Sequence, residues 1–290
     1  MDLDGALRFL TTHARLLERR RLHHLLGSCT TEDVLVALDA FGNPDGGYGW
    51  ALEPDLRSVT SQPVAAMHAL EVLAEIRDTS DRAPRLLDWL TGHTFPDGGV
   101  PFALAYPDTT GSAPHWAGAD PATSSLMMTA QLAAQAHRLA PHHAGVAAHP
   151  WLAGATAYCL DAIDQIDTEL HPYELMFAMH FLDAAGSDEA LTLLERLTPL
   201  VRADGPTPVP GGADGEVLNP LDFTPHPDAP SRAFFDPAAI AADVTRRTAA
   251  QQPDGGWLVS FPAFSPAAAL EWRGYATLQA ITVLRENAVA

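Results

Sequence analysis

Three blocks share one core: Pro44-Asp-Gly-Gly-Tyr-Gly-Trp-Ala-Leu52, Pro96-Asp-Gly-Gly-Val-Pro-Phe-Ala-Leu104 and Pro253-Asp-Gly-Gly-Trp-Leu-Val-Ser-Phe261. Asp45, Asp97 and Asp254 are spaced by 52 and 157 residues, one and three lengths of a period near 52. The same period predicts degenerate copies near 149 and 202, where the chain offers His149-Pro150-Trp151 and Ala203-Asp204-Gly205-Pro206. A fixed period of this size marks a repeat architecture.

Between the blocks two kinds of helical segment alternate. Those near 58–76, 121–137 and 172–185 are small, apolar and almost uncharged, as helices buried on most sides are. Those near 82–92, 150–166, 187–202 and 236–250 carry a charged face, with starts at Ser187-Asp-Glu and at Asp236-Pro237, an N-cap followed by proline. Inner and outer helices of this kind form hairpins of about fifty residues. The expectation is an all-α fold, an α/α toroid of about five to six hairpins in a single domain over 1–290. Two stretches without periodicity, about 104–120 and 202–235, read as long loops over a mouth of the central cavity.

Composition narrows the function. The 290 residues carry a net charge of −19, and all 17 basic residues are arginine. With no lysine, a Walker-type phosphate loop, a Schiff-base enzyme and a catalytic lysine are excluded. The negative charge argues against nucleic acid and anionic membrane surfaces, which need a basic face. No apolar run is long enough to span a membrane and the start, Met1-Asp-Leu-Asp-Gly, is acidic, so a cytoplasmic location is expected. Cys29 and Cys159 form neither a disulfide framework nor a zinc-spaced cluster. An arginine-only, alanine-rich chain suggests a GC-rich bacterial genome.

Gln252-Pro-Asp-Gly-Gly-Trp257 and Asn43-Pro-Asp-Gly-Gly-Tyr-Gly-Trp50 resemble the Gln-x-x-Asp-Gly-x-Trp repeat of the squalene/terpenoid cyclase and protein prenyltransferase β-subunit superfamily. The resemblance implies an α/α toroid and an apolar, isoprenoid-like substrate in its central cavity. In cyclases of that superfamily an Asp-x-Asp-Asp motif opens an inner helix, and its carboxylic acid protonates an alkene or epoxide. The counterpart here is Ala119-Asp120-Pro121-Ala122, which keeps one carboxylate and places proline where the acid belongs. Neither the prenyltransferase zinc set nor the Asp-Asp-x-x-Asp motif is present. Asp161, Asp164 and Asp167, at helical spacing, read as a solvated outer face rather than a magnesium site.

Residues just after the blocks should face the mouth of the toroid: Glu53, Asp55 and Arg57, then Asp108, then Glu271 and Arg273. Asp55, Asp108 and Asp120 are the candidate acids, against a reading as caps. Arg57 and Arg273 are candidate clamps for a diphosphate or carboxylate, against ion pairs with Glu53 or Glu271. His68 and His180 occupy matching places on inner helices as base or ligand, against satisfied core histidines. Trp116, Trp272 and Tyr275 fall outside the blocks and are candidates for a cation-stabilising lining, whereas most other rings read as wedges between repeats.

The leading expectation is a terpenoid cyclase-like isomerase or lyase that protonates an isoprenoid-like substrate to cyclise or isomerise it, with no cofactor. Mg²⁺ is left open should the carboxylates Glu53, Asp55, Asp108 and Asp120 converge. The rival is a non-catalytic toroid that binds a lipid or a protein, and a weaker one is an α/α-barrel carbohydrate hydrolase or lyase, which needs two facing carboxylates. Oligomeric state is not readable from the sequence.

Overall fold

The blocks are built alike because each aspartate ties its own turn. In a computed structural model describing residues 1–166 and 170–287, the Oδ1 atoms of Asp45, Asp97 and Asp254 accept the N–H two residues on, from Gly47, Gly99 and Gly256, at 2.9, 3.0 and 3.1 Å. A backbone bond closes each turn: Asn43 to Gly47, Phe95 to Gly99 and Gln252 to Gly256, at 2.8–2.9 Å. The second residue of each turn, Gly46, Gly98 or Gly255, has φ of 92°, 94° or 96°, where a side chain is strained. The residue that comes next after the Gly-Gly pair, Tyr48, Val100 or Trp257, is buried.

The protein is all-α. Fourteen α-helices cover the described residues: α1 Leu3–His13, α2 Leu16–Leu25, α3 Thr31–Asp39, α4 Pro63–Glu75, α5 Arg82–Thr91, α6 Pro114–Ala117, α7 Leu126–Leu139, α8 Ala144–Ala147, α9 Pro150–Asp164, α10 Pro172–Ala185, α11 Asp188–Leu197, α12 Pro220–Phe223, α13 Pro237–Ala249 and α14 Pro266–Glu286. The one sheet among them has two strands, Thr207–Pro208 antiparallel to Val217–Leu218. Among the described residues no helix is long and apolar enough to cross a membrane.

The chain divides into two compact units. One gathers Met1–Ala37, His171–Met176 and Leu197–Ala290, the other Leu38–Leu170 and Phe177–Arg196. In the second unit α4 packs on α7 and α7 on α9, with α5 alongside α4 and α9. Two of the segments expected to be buried on most sides are so: α4 buries ten of its residues from Pro63 to Leu73, and α7 buries Met128 through Ala134. A leucine such as Leu70 or Leu73, fully buried, contributes roughly 1.5–3 kcal/mol by leaving water. In the first unit α14 packs on α1, α2 and α13, and its core gathers Phe9, Leu10, Leu22, Trp257, Leu278 and Ile281.

Four details differ from expectation. The helix placed at 121–137 begins at Leu126, because Asp120 accepts the Ala122 N–H at 2.9 Å in a turn and Ser125 provides the cap for Met128. At His149 there is no Gly-Gly turn; the imidazole caps α9 by accepting the Trp151 N–H. The stretches read as loops at 104–120 and 202–235 contain structure, α6 in the first and the strand pair, α12 and a short 3₁₀ turn Pro230–Phe234 in the second. Ser187 caps α11 through Ala190, whereas Asp236 precedes Pro237 without making a cap bond.

Candidate functional site

In the second unit the first block hands the chain directly to a buried polar cluster. Trp50 and Ala51 adopt φ of 54° and 59°, a conformation costly for residues with a Cβ. The segment they start, 51–56, is buried throughout. Within it Glu53 is 4% exposed, and its Oε2 lies 2.9 Å from Nε2 of His68 on α4. Its Oε1 accepts the Asp55 N–H at 3.2 Å. The other ring nitrogen of His68, Nδ1, lies 3.4 Å from Glu71 Oε2, one helical turn along. Burial alone would pull the His68 pKa down, but the carboxylates of Glu53 and Glu71 outweigh it and lift it to about 9. At neutral pH the cluster is therefore an imidazolium between two carboxylates.

Asp55 is buried at 4% exposure and sits where the 104–120 stretch docks. Its carbonyl accepts the Ala113 N–H at 2.8 Å, and Ser112 Oγ accepts the Arg57 N–H at 3.2 Å. Those two bonds set α6 beside the cluster. Trp116 of α6 is buried, stacked on Phe102 of the second block with centroids 4.6 Å apart and planes at 11°, and tilted against His115 at 4.9 Å. Burial lowers the His115 pKa against the opposing pull of Glu53 and Asp55, so its imidazole is neutral at pH 7.

Not every predicted residue joins this group. Asp120 is exposed in its turn. Asp108 is also exposed, and the backbone and hydroxyl of Thr110 hold its carboxyl below the usual range, which keeps it ionised rather than ready to donate a proton. Arg57 is half-buried, and its guanidinium donates to the Pro54 carbonyl at 3.4 Å. His180 is half-buried, edge-on to Phe177 at 6.0 Å. Asp161 and Asp164 are exposed on α9, where Asp164 pairs with Arg196, and Asp167 lies outside the described residues.

In the first unit Arg273 does pair with a carboxylate, but that of Asp254 rather than Glu271. Its Nη2 lies 2.8 and 2.9 Å from the two oxygens, and the guanidinium sits over Phe9 at 4.4 Å. Trp272 meets Phe261 at 5.1 Å and Tyr275 at 5.6 Å, both edge-on, and Arg21 lies 5.9 Å from the Tyr275 ring.

Glu71, a member of the cluster, and His115, its neighbour, are not singled out by the sequence, which marks Glu53 as a mouth residue, an ion-pair partner for Arg57 and a carboxylate for Mg²⁺ should others converge on it. The i, i+3 spacing of His68 and Glu71 on one helix was the available signal. Among the described residues no three His, Cys, Asp or Glu side chains are grouped to hold a metal ion.

No family model and no curated protein matches the sequence. Among solved structures, the fold matches the type II terpene cyclase MstE from Scytonema in complex with geranylgeranyl dihydroxybenzoate as substrate, at TM-score 0.55 and 14% identity over 97% of this chain and 86% of that one. A second MstE structure, in complex with merosterolic acid A as product, matches at TM-score 0.54 and 15% identity over the same shares. A protein from Actinoplanes matches at TM-score 0.54 and 15% identity, covering 98% of this chain and 89% of that one. The chain thus has a terpene cyclase-like, all-α fold.

Proposed function

We propose that the protein is a terpenoid cyclase-like enzyme that protonates an isoprenoid-like, apolar substrate to cyclise or isomerise it, with Asp55 as the acid. The observation that carries this reading is buried Asp55, whose N–H donates to Glu53 of the Glu53–His68–Glu71 cluster, in a fold shared with a cyclase in complex with a geranylgeranyl compound. An acid that protonates an alkene must be shielded from water, and of the three predicted acids only Asp55 is. The Asp55 O–H adds its proton to one alkene carbon and leaves a carbocation on the other. A second double bond attacks that cation to close a ring, and loss of a proton to water, which returns one to the Asp55 carboxylate, ends the sequence. The outward face of the Phe102–Trp116 stack supplies π density to the migrating charge. Glu53, fixed by His68 and by the Asp55 N–H, holds the 53–55 backbone in place.

The test is gas chromatography of extracts after incubation with farnesyl, geranylgeranyl and squalene-type substrates. Wild type should give a cyclised or isomerised product, and Asp55→Asn should lose roughly 10²-fold or more of the rate with an unchanged melting temperature. Turnover that survives in Asp55→Asn removes Asp55 from the role, and a wild type inert to all three classes removes the cyclase reading. One feature favours a second reading, a non-catalytic toroid that binds a lipid or a protein: both ring nitrogens of His68 and both oxygens of Glu53 have partners inside the cluster, as in a purely structural polar core. Ligand retention without turnover is its signature.

A further inference from the structure

Trp116 differs from four of the other tryptophans. Four of the six donate their indole N–H within the protein: Trp50 to Asn43 Oδ1 at 2.8 Å, Trp89 to Asp45 Oδ2 at 3.2 Å, Trp151 to Thr94 Oγ1 at 3.0 Å and Trp257 to the Arg247 carbonyl at 2.7 Å. Trp116 does not. The residue is 8% exposed, its ring is stacked on Phe102 and tilted against His115, and its Nε1–H has no acceptor among the described residues. A buried donor without an acceptor is costly, and such atoms in native proteins call for a specific explanation.

The place of Trp116 supplies one. The bonds from Ala113 to the Asp55 carbonyl and from Arg57 to Ser112 anchor α6 directly on the segment that carries Glu53 and Asp55. Resting on the cyclase reading, we propose that Trp116 is a specificity-determining residue whose indole N–H donates to a neutral oxygen of the substrate, so that the substrate class is an oxygen-bearing isoprenoid, an alcohol or a carbonyl compound. The indole is a donor only, so the partner must be an acceptor, which a bare hydrocarbon lacks. Charge then selects among acceptors. Glu53 and Glu71 are balanced by the His68 imidazolium and by Arg57, whose guanidinium donates to the Pro54 carbonyl, and the neighbouring His115 is uncharged at neutral pH. A diphosphate or carboxylate head would find no surplus positive charge there to repay its lost hydration.

The experiment compares three ligands with one chain and different heads: farnesol, farnesene and farnesyl diphosphate. Each is titrated calorimetrically into wild type and Trp116→Phe, a change that keeps a stacking ring and removes the N–H. Wild type should bind farnesol on the order of tenfold more tightly than farnesene, with the diphosphate weakest. In Trp116→Phe the farnesol advantage should fall to about twofold or less. In ¹⁵N-labelled wild type, one indole N–H resonance, absent from the variant, should move downfield with farnesol and stay still with farnesene. If the variant fails to fold, that wild-type spectrum decides alone. Equal binding of farnesol and farnesene, a preference that survives in Trp116→Phe, tightest binding of the diphosphate, or a still indole spectrum overturns the inference while leaving the cyclase reading intact. Binding of none of the three overturns both.

Discussion

The first and last blocks spell the same Pro-Asp-Gly-Gly core and fold the same turn, yet they anchor it differently. In the first, Asp45 takes neutral donors, the Ser61 hydroxyl at 2.8 Å and the Trp89 indole at 3.2 Å. In the last, Asp254 takes the Arg273 guanidinium through both oxygens. The segments leaving the two turns differ more. After the first come Glu53 and Asp55, buried against His68; after the last comes Phe261, edge-on to Trp272. The repeat is scaffold, and its aspartates are fully engaged in holding turns. Candidate chemistry belongs to the residues that do not repeat, as expected where one fold hosts several functions.

The sharpest way to break the likeness of the two turns is to add a methyl group at their second residues. A Cβ at Gly255 would collide with the backbone of Gly5 on α1, which cannot yield, and φ there is 96°. At Gly46 a Cβ would come only within 3.2 Å of the Arg85 carbonyl, with a similar φ of 92°. Gly255→Ala should therefore cost about 4 kcal/mol or more, the range of severe core lesions, whereas Gly46→Ala should cost mainly conformational strain, roughly 1–3 kcal/mol. Urea unfolding of both variants checks this. Equal losses would mean that the turn conformation, and not its surroundings, sets the cost.

The next contrast is in pH. His68 titrates near 9 in the fold and near 6.5 in the unfolded chain, so its protonated form stabilises the native state. That contribution, on the order of 3 kcal/mol, is complete below pH 6.5 and is lost as pH rises through about 9. Asp254 runs the other way. Burial opposes its ionisation, but Arg273 and the Gly256 N–H hold its pKa below the usual carboxylate value. Its contribution is present above about pH 4 and is lost as pH falls through the depressed value. Thermal melts from pH 6 to 10 should show a decline that His68→Gln abolishes and Asp254→Asn leaves in place. A decline unchanged in His68→Gln would detach it from this cluster.

These contrasts also explain how much was readable in advance. The period of the blocks, the buried character of α4 and α7 and the helix at 150–164 rest on local spacing and apolar pattern, both carried by adjacent residues. The sequence offers Arg273 as a clamp for a ligand anion or as a partner of Glu271, but its anion is a residue 19 positions back, Asp254, and nothing local tells a guanidinium which carboxylate it will meet. His68 was legible as a candidate and Glu53 as a neighbour of the first turn, whereas their pairing depends on a chain path through two residues with positive φ, Trp50 and Ala51, that are not glycine. Such strain is invisible to pattern. Asp120 misled because a turn aspartate and a helix-opening acid look alike until the cap, here Ser125, is located.

The smallest effect is the most direct test of how the two aspartates differ. Replacing either by asparagine keeps an acceptor for the N–H two residues on. Asp45→Asn then exchanges a charged acceptor for a neutral one toward Ser61 and Trp89, and should cost about 1 kcal/mol independent of salt. Asp254→Asn removes one half of an ion pair whose members are partly exposed, 20% for Arg273 and 46% for Asp254. Exposure discounts that pair to about 1 kcal/mol or less at low ionic strength, and salt screens it further. The cost of Asp254→Asn should therefore shrink between about 0.02 and about 0.5 M salt, where the screening length falls well below 10 Å, while that of Asp45→Asn stays level. If both costs fall together, charge and not hydrogen bonding holds the first turn as well, and the two blocks are anchored by one kind of force.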